Sequence, residues 1–142
     1  MSVSENISLM KRWFHEVWNE KRDDTIYEIF SADGIVHGHA AEPLRGPNQF
    51  VQFAHQIRAA FPDLKVTVED AFGEGDKVAV RWTARGTHDG QGFGPPSGKP
   101  IVVTGTSIAQ CKDGKVVVGW DNWDRLGMFE QIGALSTSKT AA

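Results

Sequence analysis

The 142-residue sequence predicts an α+β fold, in which a curved antiparallel sheet wraps around N-terminal helices and leaves a cone-shaped cavity. Three observations lead there. Apolar residues recur at helical spacing in the segments before Pro62. After Pro62 the period changes to two. Turn signals such as Gly73-Glu-Gly75-Asp76 and Lys112-Asp-Gly-Lys115 then join successive strands as hairpins. One domain is expected over residues 1–135, followed by a small, polar and flexible tail over 136–142.

Each element has its own signal. Ser4 can cap a first helix of about four turns, whose apolar stripe is Ile7, Met10, Phe14 and Val17 with Trp13 and Trp18 beside it. Asp23-Asp24-Thr25 opens a shorter helix through Ile26, Ile29 and Phe30. Ser31–Gly34 is a break. Ile35-Val-His37-Gly-His39 follows as a short strand, with Ile35, His37 and His39 on one face. Pro47 suits the first turn of a third helix, with a stripe of Phe50, Phe53, Ile57 and Phe61. The next strand places Val66, Val68, Asp70 and Phe72 on one face. The strand after it sets Val78, Val80, Trp82 and Ala84 against Arg81 and Arg85. Gly86–Pro100 is a Gly- and Pro-rich loop, Ile101–Cys111 a long strand, and Val116 onward a final strand leading into a short helix with Leu126, Phe129 and Ile132.

Composition narrows the function. Hydrophobic residues make up 40%, charged residues 23%, and the formal net charge is −3. No basic stripe is present, so a nucleic-acid partner is not expected. No apolar run reaches membrane-spanning length and no signal-peptide pattern opens the chain, so a cytoplasmic protein without a membrane partner is expected. The single cysteine, Cys111, rules out an intrachain disulfide. His37 and His39 could offer two metal ligands, but Glu42 falls short of a third and no metal site is expected. β-branched residues lie on both faces of Ile101–Ile108, so the outer sheet face needs cover and a homodimer or larger homo-oligomer is expected.

Chemistry concentrates at Trp120-Asp121-Asn122-Trp123-Asp124, where two carboxylates are flanked by two indoles at the end of a strand. An aspartate walled by indoles loses hydration, which disfavours its charged form and suits acid–base work. Asp124 can equally cap the last helix, and Asp121 can be a solvated edge residue. His88 precedes a Gly-rich loop and reads as its hydrogen-bond anchor, while His55 reads as surface.

From the first helix to Gly133 the chain resembles the SnoaL-like polyketide cyclases. These belong to the nuclear transport factor 2-like (cystatin-like) superfamily, which includes ketosteroid isomerase. The markers are Gly86-Thr-His88-x-Gly90, Gly94-Pro-Pro-x-Gly98, Asp113-Gly-Lys115 and Asp124-x-x-Gly127-x-x-x-Gln131-x-Gly133. The resemblance implies that Asp121 is the catalytic acid/base and Asp124 the family's second aspartate. It places Ser107 where the cyclases use a histidine, which leaves His37 or His39 to supply an imidazole. It further implies a small hydrophobic ligand and no cofactor. Ser107, Trp82, Trp120, Trp123, Asp124, Phe14, Trp18 and Arg81 are the candidate ligand-binding residues.

The leading expectation is acid–base chemistry without a cofactor on a hydrophobic carbonyl compound: aldol cyclisation, isomerisation or dehydration. The alternative is a non-catalytic binder of a small hydrophobic ligand. An epoxide hydrolase fits less well, since Arg81 lacks an aspartate two residues on.

Overall fold

The computed structural model describes residues 1–135; the expected tail over 136–142 lies outside them. Helix α1 (Val3–Trp13) is capped by Ser2, two residues before the expected Ser4, because Ser2 has Glu5 three residues on. Ser2 Oγ accepts from the Glu5 amide at 3.0 Å, and the Glu5 carboxylate accepts from the Ser2 amide at 2.9 Å. The helix continues as a π-helical turn over Phe14–Asn19. That wider turn carries Phe14 and Trp18, both buried. Helix α2 (Asp23–Ile29) leads straight into strand β1 (Phe30–His37). The expected break at Ser31–Gly34 is a β-bulge within that strand.

A two-residue strand β2 (Leu44–Arg45) precedes α3 (Gly46–Ala60), which has Pro47 in its first turn as its sequence suggests. Strands β3 (Lys65–Glu74), β4 (Lys77–Thr87), β5 (Pro100–Lys112) and β6 (Lys115–Trp123) follow, and α4 (Arg125–Gln131) ends the described fold. The six strands form one curved sheet in the order β2-β1-β6-β5-β4-β3. This is the expected α+β architecture with one difference in detail: β1 runs parallel to β6, while the other neighbours are antiparallel. Helix α3 and four strands lie between them, a connection long enough to bring β6 alongside β1 in that sense.

The inner sheet face and the helices share one core. Trp13, Phe30 and Phe50 meet edge to face, with centroids 5.0 to 6.3 Å apart. Val78, Val80, Trp82 and Ala84 all turn inward, as the period-two pattern requires. The same pattern fails in β3, where a bulge between Val68 and Asp70 reverses the parity. Phe72, expected beside Val66, is therefore outside and 62% exposed. In α4, Met128 and Ile132 are buried, whereas Leu126 faces outward.

Polar groups at the helix ends are tied down. Arg58, buried on α3, donates to Asp23 Oδ1 at 2.5 Å and to the Val17 carbonyl at 2.7 Å. His88 is buried within its loop. Its ring meets Ser97 Oγ at 3.0 Å and the Gly92 carbonyl at 2.6 Å, the anchoring role its position suggests. Asp63 accepts from the Thr87 amide and hydroxyl at 2.7 and 2.9 Å.

The carboxyls of Glu16, Asp23 and Asp63 sit below their ordinary range. Glu16 is lowered by Arg12 and then Thr25, and Asp63 by the Thr87 amide. For Asp23 burial pulls upward, but the bonds from Arg58 and His55 outweigh it. A carboxyl lowered on folding stabilises the fold above its unfolded value, near about pH 4, and loses that contribution as pH falls through the folded value. The melting temperature is therefore expected to drop below about pH 4. Asp63→Asn should lower melting at neutral pH and flatten the acid decline, as a pH series of thermal melts will show.

Candidate active site

Strand register assembles the site. Ser107 on β5 and Asp121 on β6 are direct cross-strand partners, so their side chains stand side by side on the inner face. Their contact is a hydrogen bond from Ser107 Oγ to Asp121 Oδ1. One strand further, Trp82 on β4 pairs in register with Gly105, and its indole Nε1 donates to Ser107 Oγ at 3.0 Å. The other carboxylate oxygen, Oδ2, lies 3.1 Å from His39 Nε2. The side chains of Asp121 and His39 are only 14% and 9% exposed, so water screens this pair little.

His39 arrives from the loop after β1. Strand β1 ends at His37, and Gly38 has φ of 105°. A Cβ on Gly38 would lie 1.8 Å from the Asp121 backbone oxygen, so only glycine lets the loop cross β6 so closely. That turn breaks the strand alternation, and His37 and His39 do not share a face. His39 turns inward, with its ring 4.3 Å from that of Phe53 on α3. His37 stays outside, stacked on Trp120 at 6.3 Å and 18°. The two imidazoles thus point to opposite sides of the sheet and do not converge on a common ligand. Arg125, the first residue of α4, holds the loop by donating to the His39 carbonyl at 2.9 Å and lies over the Trp123 ring at 5.2 Å.

The His39–Asp121–Ser107 cluster sits in the wall of a cavity of about 100 Å³ between the sheet and the helices. The rest of the wall is almost wholly apolar, with Phe14, Trp18, Phe53, Trp82 and Trp123 among its residues. Of the residues the sequence nominates, the structure brings Asp121, His39, Ser107, Trp82, Trp123, Phe14 and Trp18 to this cavity. It leaves four elsewhere. Trp120 follows Gly119 and precedes Asp121, so alternation sends it to the outer face. Arg81 is outside for the same reason, opposite Trp82. His37 is outside by alternation with the buried Val36. Asp124 is the N-cap of α4, its carboxylate accepting from the Gly127 amide at 2.9 Å, which is the structural role open to it in the sequence. Gln131 is likewise structural: its side-chain amide bonds both backbone groups of Val102, at 2.7 and 3.0 Å.

Sequence reasoning passed over two glycines that shape the site, Gly38 and Gly105. The signal for Gly38 was its place between two histidines at a strand end. Nothing local singles out Gly105, because its role depends on the facing Trp82 of another strand.

The SnoaL-like polyketide cyclase family model matches residues 8–132, almost the whole described chain. The protein belongs to that family. Its fold is the nuclear transport factor 2-like fold shared with ketosteroid isomerase. Several solved structures agree closely. A candidate SnoaL-like polyketide cyclase from Jannaschia sp. CCS1 is 28% identical with a TM-score of 0.85, the match covering 94% of each chain. IdmH, a candidate polyketide cyclase from Streptomyces antibioticus, is 29% identical with a TM-score of 0.78, over 94% of this chain and 99% of that one. AclR, a candidate hydroxylase from Streptomyces galilaeus, is 26% identical with a TM-score of 0.83, over 95% of this chain and all of that one. No curated protein matches the sequence. Among the described residues of this SnoaL-like protein, no helix is long and apolar enough to cross a membrane.

Proposed function

We propose that this SnoaL-like protein is a cofactor-independent acid–base enzyme that acts on a small hydrophobic carbonyl compound held in the cavity. The observation that carries the proposal is the close, buried Asp121–His39 pair, 3.1 Å apart in the wall of an otherwise apolar pocket. An apolar chamber excludes water from a reacting enolate and strengthens every electrostatic contact inside it. The dyad removes a proton α to the carbonyl, and the enolate oxygen that forms is balanced by the imidazolium left behind. Attack of that enolate on a second carbonyl of the same molecule would be an aldol cyclisation. Return of the proton elsewhere would be an isomerisation, and loss of a hydroxyl a dehydration. Phe14, Trp18, Trp82 and Trp123 supply flat apolar walls suited to a fused-ring compound.

The test needs no natural substrate. A bicyclic aryl ketone in D2O is expected to exchange its α-hydrogens faster with the protein than in buffer, saturably, as followed by proton NMR. Saturable binding without exchange would instead identify a ligand carrier.

The protein is further proposed to be a homodimer. Strand register aligns Phe72, Ala79, Ile108, Trp120 and His37 in one row across the outer sheet face. Phe72, Ile108 and Trp120 are 62%, 44% and 38% exposed, an apolar strip that a second copy would cover. Light scattering is expected to give a dimer mass at micromolar concentration and Ile108→Lys a monomer mass; a monomeric native protein would contradict the proposal.

A further inference from the structure

The polar groups of the cavity are gathered at one place. Among the described residues, the lining side chains that carry an oxygen or an ionisable group are His39, Ser107 and Asp121, and they stand together. Two donors in that cluster are already engaged. The Trp82 indole N–H donates to Ser107 Oγ at 3.0 Å, and the Ser107 hydroxyl donates to Asp121 Oδ1. Gly105 permits the first of these bonds. It faces Trp82 across the β4–β5 ladder, and a Cβ there would lie 2.3 Å from the indole Cζ2. What the cavity keeps for a ligand is one polar point, the Asp121–His39 pair.

Away from that point the wall is hydrocarbon. Val103 lies four residues along β5 from Ser107, about 13 Å by the rise of a strand. It pairs with Ala84 on β4, which pairs with Val66 on β3, and all three line the cavity. On the other side of Ser107, Ala109 continues the apolar wall. The backbone of β4 behind these side chains is engaged in ladders on both sides. No lysine or arginine among the described residues lines the cavity. A hydroxyl on the body of a ligand would therefore leave water without gaining a partner, and a carboxylate or phosphate would meet no fixed positive charge.

We propose that the compound this cavity takes is uncharged and polar at one end only, a carbonyl group on an otherwise unsubstituted hydrocarbon body, and that the cavity selects against hydroxylated fused-ring ketones; as a statement about substrate this rests on the acid–base reading above. A hydroxyl is admitted beside the carbonyl, where it closes an internal hydrogen bond to the carbonyl oxygen and asks nothing of the protein. Desolvation enforces the preference, because a hydroxyl is no larger than a methyl group that the same wall would welcome.

The test is the affinity of the wild-type protein for α-tetralone and its ring-substituted analogues, read by isothermal titration at about pH 6, where the phenols are neutral. α-Tetralone is expected to bind saturably. Analogues with a hydroxyl on the ring edge far from the carbonyl are expected to bind about 10-fold or more weakly. Methyl groups at the same positions are expected to cause no such loss, which separates polarity from bulk. The analogue with its hydroxyl beside the carbonyl is expected to bind as tightly as α-tetralone. Far-edge phenols that bind as tightly as α-tetralone overturn the proposal. So do methyl analogues as weak as the phenols, or a protein that binds no α-tetralone. The expected order of affinities in protein that exchanges no ketone α-hydrogens supports the ligand class and overturns the acid–base reading instead.

Discussion

Asp121→Asn is expected to slow ketone α-exchange by about two to four orders of magnitude while leaving the fold intact. Asparagine keeps the shape of aspartate but loses its charge. Its amide oxygen can still accept from the Ser107 hydroxyl, but an amide can neither take up the substrate proton nor balance a charge on His39. The fold should tolerate the change because asparagine fills the same volume and keeps an acceptor for the Ser107 hydroxyl. Exchange kinetics and a thermal melt of the same sample separate the two effects. Unchanged exchange would remove Asp121 from the mechanism, and collapse of the fold would make its role structural.

Gly38→Ala is expected to be the most damaging single-methyl change near the site. The new Cβ would sit 1.8 Å from the Asp121 carbonyl oxygen, and φ of 105° is unfavourable for any side chain. Neither the loop nor β6 can yield without breaking the β1–β6 pairing at Val36–Gly119 and His37–Trp120. Overpacking and backbone strain together cost about 3 to 5 kcal/mol. In a domain of this size that lowers the melting temperature by roughly 10 °C or more. Exchange should fall as well, because His39 follows Gly38 directly. A melt within a few degrees of wild type would show that the loop can be re-seated.

The fold was legible where one element governs itself. Alternation in β4 sent Val78, Val80 and Trp82 inward as read, and the Gly-rich stretch after Thr87 is the loop it suggested. The α+β class and the SnoaL-like resemblance both hold. The misplacements share a cause, which is that parity counting assumes a regular strand. The bulge after Val68 exposed Phe72, and the positive φ of Gly38 separated His37 from His39. Both depend on backbone geometry that single residues do not announce. The parallel pairing of β1 with β6 is a relation between distant segments and leaves no local trace. The candidate site was legible in part for the same reason. Asp121 and Ser107 fall opposite each other by strand register, whereas Trp82 and Gly105 acquire their roles only once three strands lie side by side.

The central claim, that the Asp121–His39 dyad meets a hydrophobic carbonyl compound inside the cavity, is tested most directly by a crystal structure with a bicyclic aryl ketone bound. The account predicts the ring system between the aromatic walls and the α-carbon about 3 to 3.5 Å from the Asp121–His39 pair, the distance of a near-attack arrangement. A ketone bound in the cavity with its carbonyl end turned away from Asp121 and His39, or bound only outside the cavity, would contradict it.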